Sequence, residues 1–98
     1  MEIKNFQRII RQTYGHRDRA RGLWSSFAWL IEEIGELARA LRSGDPDQIN
    51  REFADVAAWL FSVADLAGID MEKALARYEK GCPRCGQNPC VCQHRQGQ

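Results

Sequence analysis

The stretch that most constrains this chain is RSGDPD, residues 42–47, set between two long segments whose apolar residues recur every three to four positions. Gly44 suits the position just past a helix C-terminus, and Asp45 can cap a new helix. Pro46 fits the first position of that helix, and Gln48 stands three residues after Asp45. Two long helices joined so tightly pack as an antiparallel hairpin.

The helix before the turn is expected to begin at Ser25 or Ser26, either of which could cap it, and to run to about Arg42. Its inward stripe reads Phe27, Leu30, Ile31, Ile34, Leu37, Ala38 and Leu41. The helix after it spans Pro46 to about Ala67, with Ile49, Phe53, Val56, Leu60, Val63 and Ala67 inward, and Gly68 ends it. Upstream, Ile3, Phe6, Ile9, Ile10, Thr13 and Tyr14 predict an amphipathic helix over residues 2–14. The segment GHRDRARG, Gly15 to Gly22, reads as a basic connector. Asp70 caps a short helix reaching Tyr78 or Glu79, and Gly81 opens a cysteine-rich tail. There are no strand signals. The expected fold is all-α, a bundle of three to four helices, with a domain over 1–80 and a tail over 81–98.

A chain of 98 residues leaves room for one domain. Helices this few make a thin core, so a homodimer forming a larger bundle is expected. The net charge of +1 favours neither nucleic acid nor a membrane surface as partner, and no apolar run approaches the roughly 20 residues of a membrane span. MEIKNFQRIIRQ lacks an uninterrupted apolar stretch of the secretory kind, so a soluble, cytoplasmic protein is the default expectation.

The acids are the chemical signal. Glu33 and Glu36 lie one turn apart on the edge of the first hairpin helix, and Glu52 and Asp55 repeat that spacing on the second. Glu52 falls within the inward arc. Antiparallel packing lets the two acidic edges face each other, and four carboxylates gathered in a partly buried groove repel and resist desolvation. Mg²⁺ or Mn²⁺ removes that difficulty, because hard cations want several oxygen ligands. The competing reading is a solvated acidic face paired with Arg39 and Arg42.

EEIGE at 32–36 and EFAD at 52–55 resemble the paired EExxE and ExxD motifs of the MazG-like nucleoside triphosphate pyrophosphohydrolases, members of the all-α NTP pyrophosphatase superfamily. The flanking text, WLIEEIGELARALRSGD and EFADVAAWLFSVADLAGID, extends the likeness over nearly the whole chain, and GCPRCGQNPCVC resembles the tail of a small cysteine-tailed subgroup. The resemblance implies that Glu33, Glu36, Glu52 and Asp55 bind catalytic Mg²⁺. It places Glu32 in a second shell, at a second metal or orienting the attacking water. It further implies hydrolysis of a nucleoside triphosphate, canonical or damaged, to monophosphate and pyrophosphate by a dimer or tetramer.

Cations for the polyphosphate are sought in Arg17, Arg19 and Arg21, with Lys73 and Arg77 from the short helix. Trp24, Trp29 and Trp59 could stack on a base, although Trp59 suits packing better, and Asp65 falls at a surface position. In the tail, Cys82, Cys85, Cys90 and Cys92 suit a structural Zn²⁺, with His94 close enough to replace one thiolate. Redox-active or disulfide-bonded cysteines are the alternative there. For the whole chain the rival to an enzyme is a non-catalytic helical dimer that senses nucleotide or metal and docks a partner through its tail.

Overall fold

A computed structural model describes residues 1–93, and among these it is all-helical. Four α-helices follow one another: α1 (Ile3–Arg21), α2 (Leu23–Ser43), α3 (Pro46–Leu66) and α4 (Met71–Leu75). A single 3₁₀ turn over Ala76–Tyr78 completes the short fourth segment, which the sequence read as one continuous helix. His94 lies outside the described residues.

The hairpin turn forms as its residues dictate. Gly44 takes the left-handed conformation at φ 72°, and its N–H donates to the carbonyls of Ala40 and Leu41. The Asp45 carboxylate accepts from the Asp47 N–H at 3.0 Å, with Pro46 in the first turn. Asp70 caps α4 in the same way, accepting from the Lys73 N–H at 3.2 Å.

The connector expected at residues 15–22 does not exist. α1 runs through Gly15 to Arg21, and the break falls at Gly22, whose φ of 90° no helix contains. A glycine inside a helix costs only about 1 kcal/mol relative to alanine, less than the packing of α1 on α3 supplies. Gly22 also replaces Ser25 or Ser26 as the residue before α2; Ser26 is instead fully buried and accepts a hydrogen bond from Arg21.

α2 and α3 pack side by side, and α1 crosses one side of the pair, antiparallel to α3. Phe6 meets Phe61 edge-on at 4.9 Å. Gln7 is buried and ties α1 to the α3–α4 link, donating to the Ile69 carbonyl at 2.8 Å and accepting from the Met71 N–H at 2.9 Å. The buried face of α1 is Gln7, Ile10, Gly15 and Asp18; of the expected stripe Ile10 is buried and Phe6 half-buried, while Ile3, Ile9, Thr13 and Tyr14 are exposed.

The core is thin: Ile10, Leu30, Ala40, Phe61 and Ala64 are its buried apolar members. The inward stripes expected for α2 and α3 are only partly inward. Phe27, Ile31, Ile34, Leu41, Phe53 and Leu60 are between 41% and 54% exposed. One helix cannot cover both sides of a hairpin, and the side away from α1 stays open. The Cα radius of gyration, 15.6 Å, exceeds the roughly 13 Å of a compact domain of this size.

Candidate metal and nucleotide site

The turn at Gly44–Pro46 fixes the register of α2 against α3, and that register decides which acids meet. Glu33 from α2 and Glu52 and Asp55 from α3 bring carboxylate oxygens within 4.8 Å of one another. Glu33 and Glu52 are half-buried. Glu52 Oε2 is buried with no hydrogen-bond partner, the only such side-chain atom among the described residues. A buried carboxylate oxygen left bare costs about 1–3 kcal/mol or more, so its retention needs a compensating charge. The Glu33 carboxyl is held above its ordinary pKa, first by burial, then by its hydrogen bond to Glu52 and the charges of Glu52, Asp55 and Glu36.

These residues fit a hard divalent cation. Octahedral Mg²⁺ at 2.0–2.1 Å from its ligands separates oxygens by about 2.9 Å in cis and about 4.2 Å in trans, a small side-chain adjustment from the observed spread. Glu36 is not in the cluster. Its carboxylate is held at both oxygens by Arg39, at 3.0 and 2.9 Å. The pairing weighed as the alternative for the acidic face is thus real for this one residue. Glu32 is exposed and stands outside the cluster.

Beside the acids lies a cavity of about 250 Å³ whose wall includes Asp55, Trp59 and Ser62 from α3 and Tyr14, Arg17 and Arg21 from α1. Two of the cations proposed from sequence therefore reach the site. Arg21 is also structurally engaged: its Nη1 donates to Asp18 at 2.9 Å and to Ser26 at 3.2 Å, and its guanidinium sits 4.8 Å from the centre of the Trp59 ring. Trp59 stacks on Trp29 at 6.1 Å and 18°, which makes Trp59 a packing group with one half-exposed neighbour. Lys73 does not line the cavity; it sits exposed on α4. Arg77 lies 5.3 Å from the Tyr78 ring, and Arg19 packs near Gly15.

Sequence reasoning missed Asp18, buried and ion-paired to Arg21 on the cavity wall. The signal was there: residues 7, 10, 14, 18 and 21 share a helical face once Gly15 is read through. Asp65, expected at the surface, is an ion-pair partner of Arg11 at 2.6 Å with a mostly covered side chain. That pair borders a larger cleft, about 560 Å³, lined by Lys4, Arg8 and Asp70 among others and sharing no residue with the acid cluster.

The tail forms a second cluster. The Sγ atoms of Cys82, Cys85, Cys90 and Cys92 all lie within 4.8 Å of one another, and the four thiols are free. Backbone N–H groups of Cys85 and Arg84 lower the Cys82 thiol to about 6. Hydrogen bonding to Cys90 and Cys82 pushes the Cys92 thiol up to about 12.

A family model described as the MazG nucleotide pyrophosphohydrolase domain matches residues 22–85. The match takes in α2, α3, α4 and the first two cysteines and leaves α1 outside it. No curated protein matches the chain.

Proposed function

Because the chain belongs to the MazG nucleotide pyrophosphohydrolase family, we propose that it is a Mg²⁺-dependent enzyme that hydrolyses nucleoside triphosphates, deoxy or non-standard ones, to monophosphate and pyrophosphate. The observation that carries this reading is the unpartnered, buried Glu52 oxygen beside Glu33 and Asp55. Those three carboxylates would hold the cation, with Glu36 joining them when it leaves Arg39. A cation held by these residues would supply neutralisation of the charge that builds on the phosphoryl oxygens. Mn²⁺ would serve the same oxygens.

The protein's own groups do the rest. Arg17 and Arg21 face the cavity and supply positive charge to the polyphosphate, while the Asp18 and Ser26 contacts hold the Arg21 fork in place. Trp29, half-exposed on its stack with Trp59, offers a flat apolar surface to a base. Glu32, exposed one residue before Glu33 and outside the cluster, would act from its margin, by steadying a ligand, at a second metal or on the attacking water. Lys73 would reach substrate only from a neighbouring subunit or after movement of α4. The open face of α2 and α3 is assigned to a second copy, giving a homodimer or a tetramer of such dimers, working in the cytoplasm on the nucleotide pool. Among the described residues no helix is long and apolar enough to cross a membrane.

The test is pyrophosphate release from a panel of NTPs and dNTPs with Mg²⁺. Glu52→Gln and Glu36→Gln are expected to lower turnover at least about 100-fold with the helical circular dichroism intact, since a cation in phosphoryl transfer is worth several kcal/mol. Turnover that survives both changes excludes the site. Nucleotide binding without turnover across the panel favours a non-catalytic sensor.

A further inference from the structure

The hydrolytic reading leaves the cysteine tail unused, and the tail has the geometry of a metal site in its own right. The Cys82 and Cys92 sulfurs are 3.7 Å apart, and those of Cys85 and Cys90 are 3.9 Å apart. A tetrahedral Zn²⁺ with Zn–S bonds of about 2.3 Å sets its sulfurs about 3.8 Å from each other. Disulfides would require about 2.05 Å, and each would draw one pair in at the expense of the four-fold grouping. We propose that the four sulfurs bind one structural Zn²⁺, closed to substrate, and that this ion organises the tail independently of the carboxylate site.

The backbone around the sulfurs is already arranged for thiolates. The Val91 N–H points at Cys85 Sγ at 3.5 Å, and the Cys92 N–H at Cys90 Sγ at 3.3 Å. Such donors spread the negative charge that four thiolates gather on one dication. Two further bonds close the first loop: Gly86 N–H to the Cys82 carbonyl at 2.7 Å, and Cys82 N–H to the Gln87 carbonyl at 3.0 Å. Gly81 permits that closure. Its φ is 108°, and a Cβ there would stand 2.6 Å from the Gln87 carbonyl oxygen. A residue without a side chain at 81 thus lets Gln87 and Asn88, which lead to Cys90 and Cys92, pack against the start of the tail.

Ligand chemistry keeps the two metals apart. Thiolates select a soft or borderline ion, and the carboxylates of Glu33, Glu52 and Asp55 select a hard one. Binding converts four thiols and one aqueous Zn²⁺ into a tetrathiolate complex of net charge −2, with four protons released to buffer.

The experiment is native mass spectrometry and elemental analysis of the full chain purified under reducing conditions. One zinc per chain is expected, and replacement by Co²⁺ should give the intense visible absorption of a tetrahedral thiolate site. Cys82→Ser with Cys85→Ser should lose the metal, and Gly81→Val should weaken it at least 10-fold although every ligand is kept. Glu52→Gln should retain full zinc, so failure of the hydrolytic reading would leave this one standing. Four free thiols without metal, two disulfides, or iron in place of zinc would each overturn the proposal, as would zinc loss in Glu52→Gln.

Discussion

Glu33 carries the pH behaviour of the site. Burial, the hydrogen bond to Glu52 and the surrounding negative charges all hold its carboxyl above the ordinary value. A carboxyl raised in the folded state favours folding while it is protonated. That contribution is complete below the unfolded pKa and is lost as pH rises through the folded one. Without divalent cations, the melting temperature should therefore fall as pH climbs through the raised Glu33 value. Glu33→Gln should flatten that slope, and Mg²⁺ should raise the melting temperature above it. Differential scanning calorimetry over pH 4–8, with EDTA or Mg²⁺, reads all three, and a slope unchanged in Glu33→Gln would refute the assignment. The acids were legible in the sequence because a three-residue spacing on each of two helices is a statement about faces. The sequence also offered Arg39 as a competing partner for Glu36; what it could not give was which acid that competition would take. Arg39, one turn on, holds Glu36 in a surface ion pair of small energy that a dication can displace.

At the scale of elements, punctuation by glycine was read correctly at Gly44 and incorrectly at Gly15. Gly44 has a positive φ that demands glycine, while Gly15 sits in an ordinary helical conformation. The difference lies in tertiary packing: Gly15 is on the buried face of α1, and the residues after it, Asp18 and Arg21, have partners only if the helix continues. Gly15→Ala should leave stability unchanged or raise it by up to about 1 kcal/mol. The closest atom to the new methyl is the mobile end of Arg19, at 3.0 Å. Gly22→Ala should cost about 1–2 kcal/mol, because φ 90° strains any side chain. Urea midpoints of the two variants decide the point; equal effects would mean that the helix break is misplaced. The caps at Asp45 and Asp70 were legible because capping is local, resting on residues two or three apart.

The whole molecule is a hairpin with a single covering helix. Its unfilled side carries Phe27, Ile31, Ile34 and Leu41 on α2 at helical spacing, and Phe53 and Leu60 on α3. A second copy would bury what remains exposed of them, about half of each side chain and so worth about half of the roughly 1.5–3 kcal/mol of a full burial. Leu41→Asp, half-exposed in the single chain, should leave the monomer fold intact and shift the protein from dimer to monomer in light-scattering chromatography. A wild-type monomer at micromolar concentration would remove this reading. The apolar period announced these faces from the sequence. It could not say which would be covered within one chain, because periodicity reports that a face is greasy and is blind to what stands opposite.

Asp55 belongs to two neighbourhoods at once, the acid cluster and the wall of the cavity under Arg17 and Arg21. Whatever settles in that hollow leans on a residue that would also grip an ion held by the cluster, so each tenant would alter the other's lease. By reciprocity, an ion that tightens the hold on nucleotide by some factor must itself be held more tightly by that factor once nucleotide arrives.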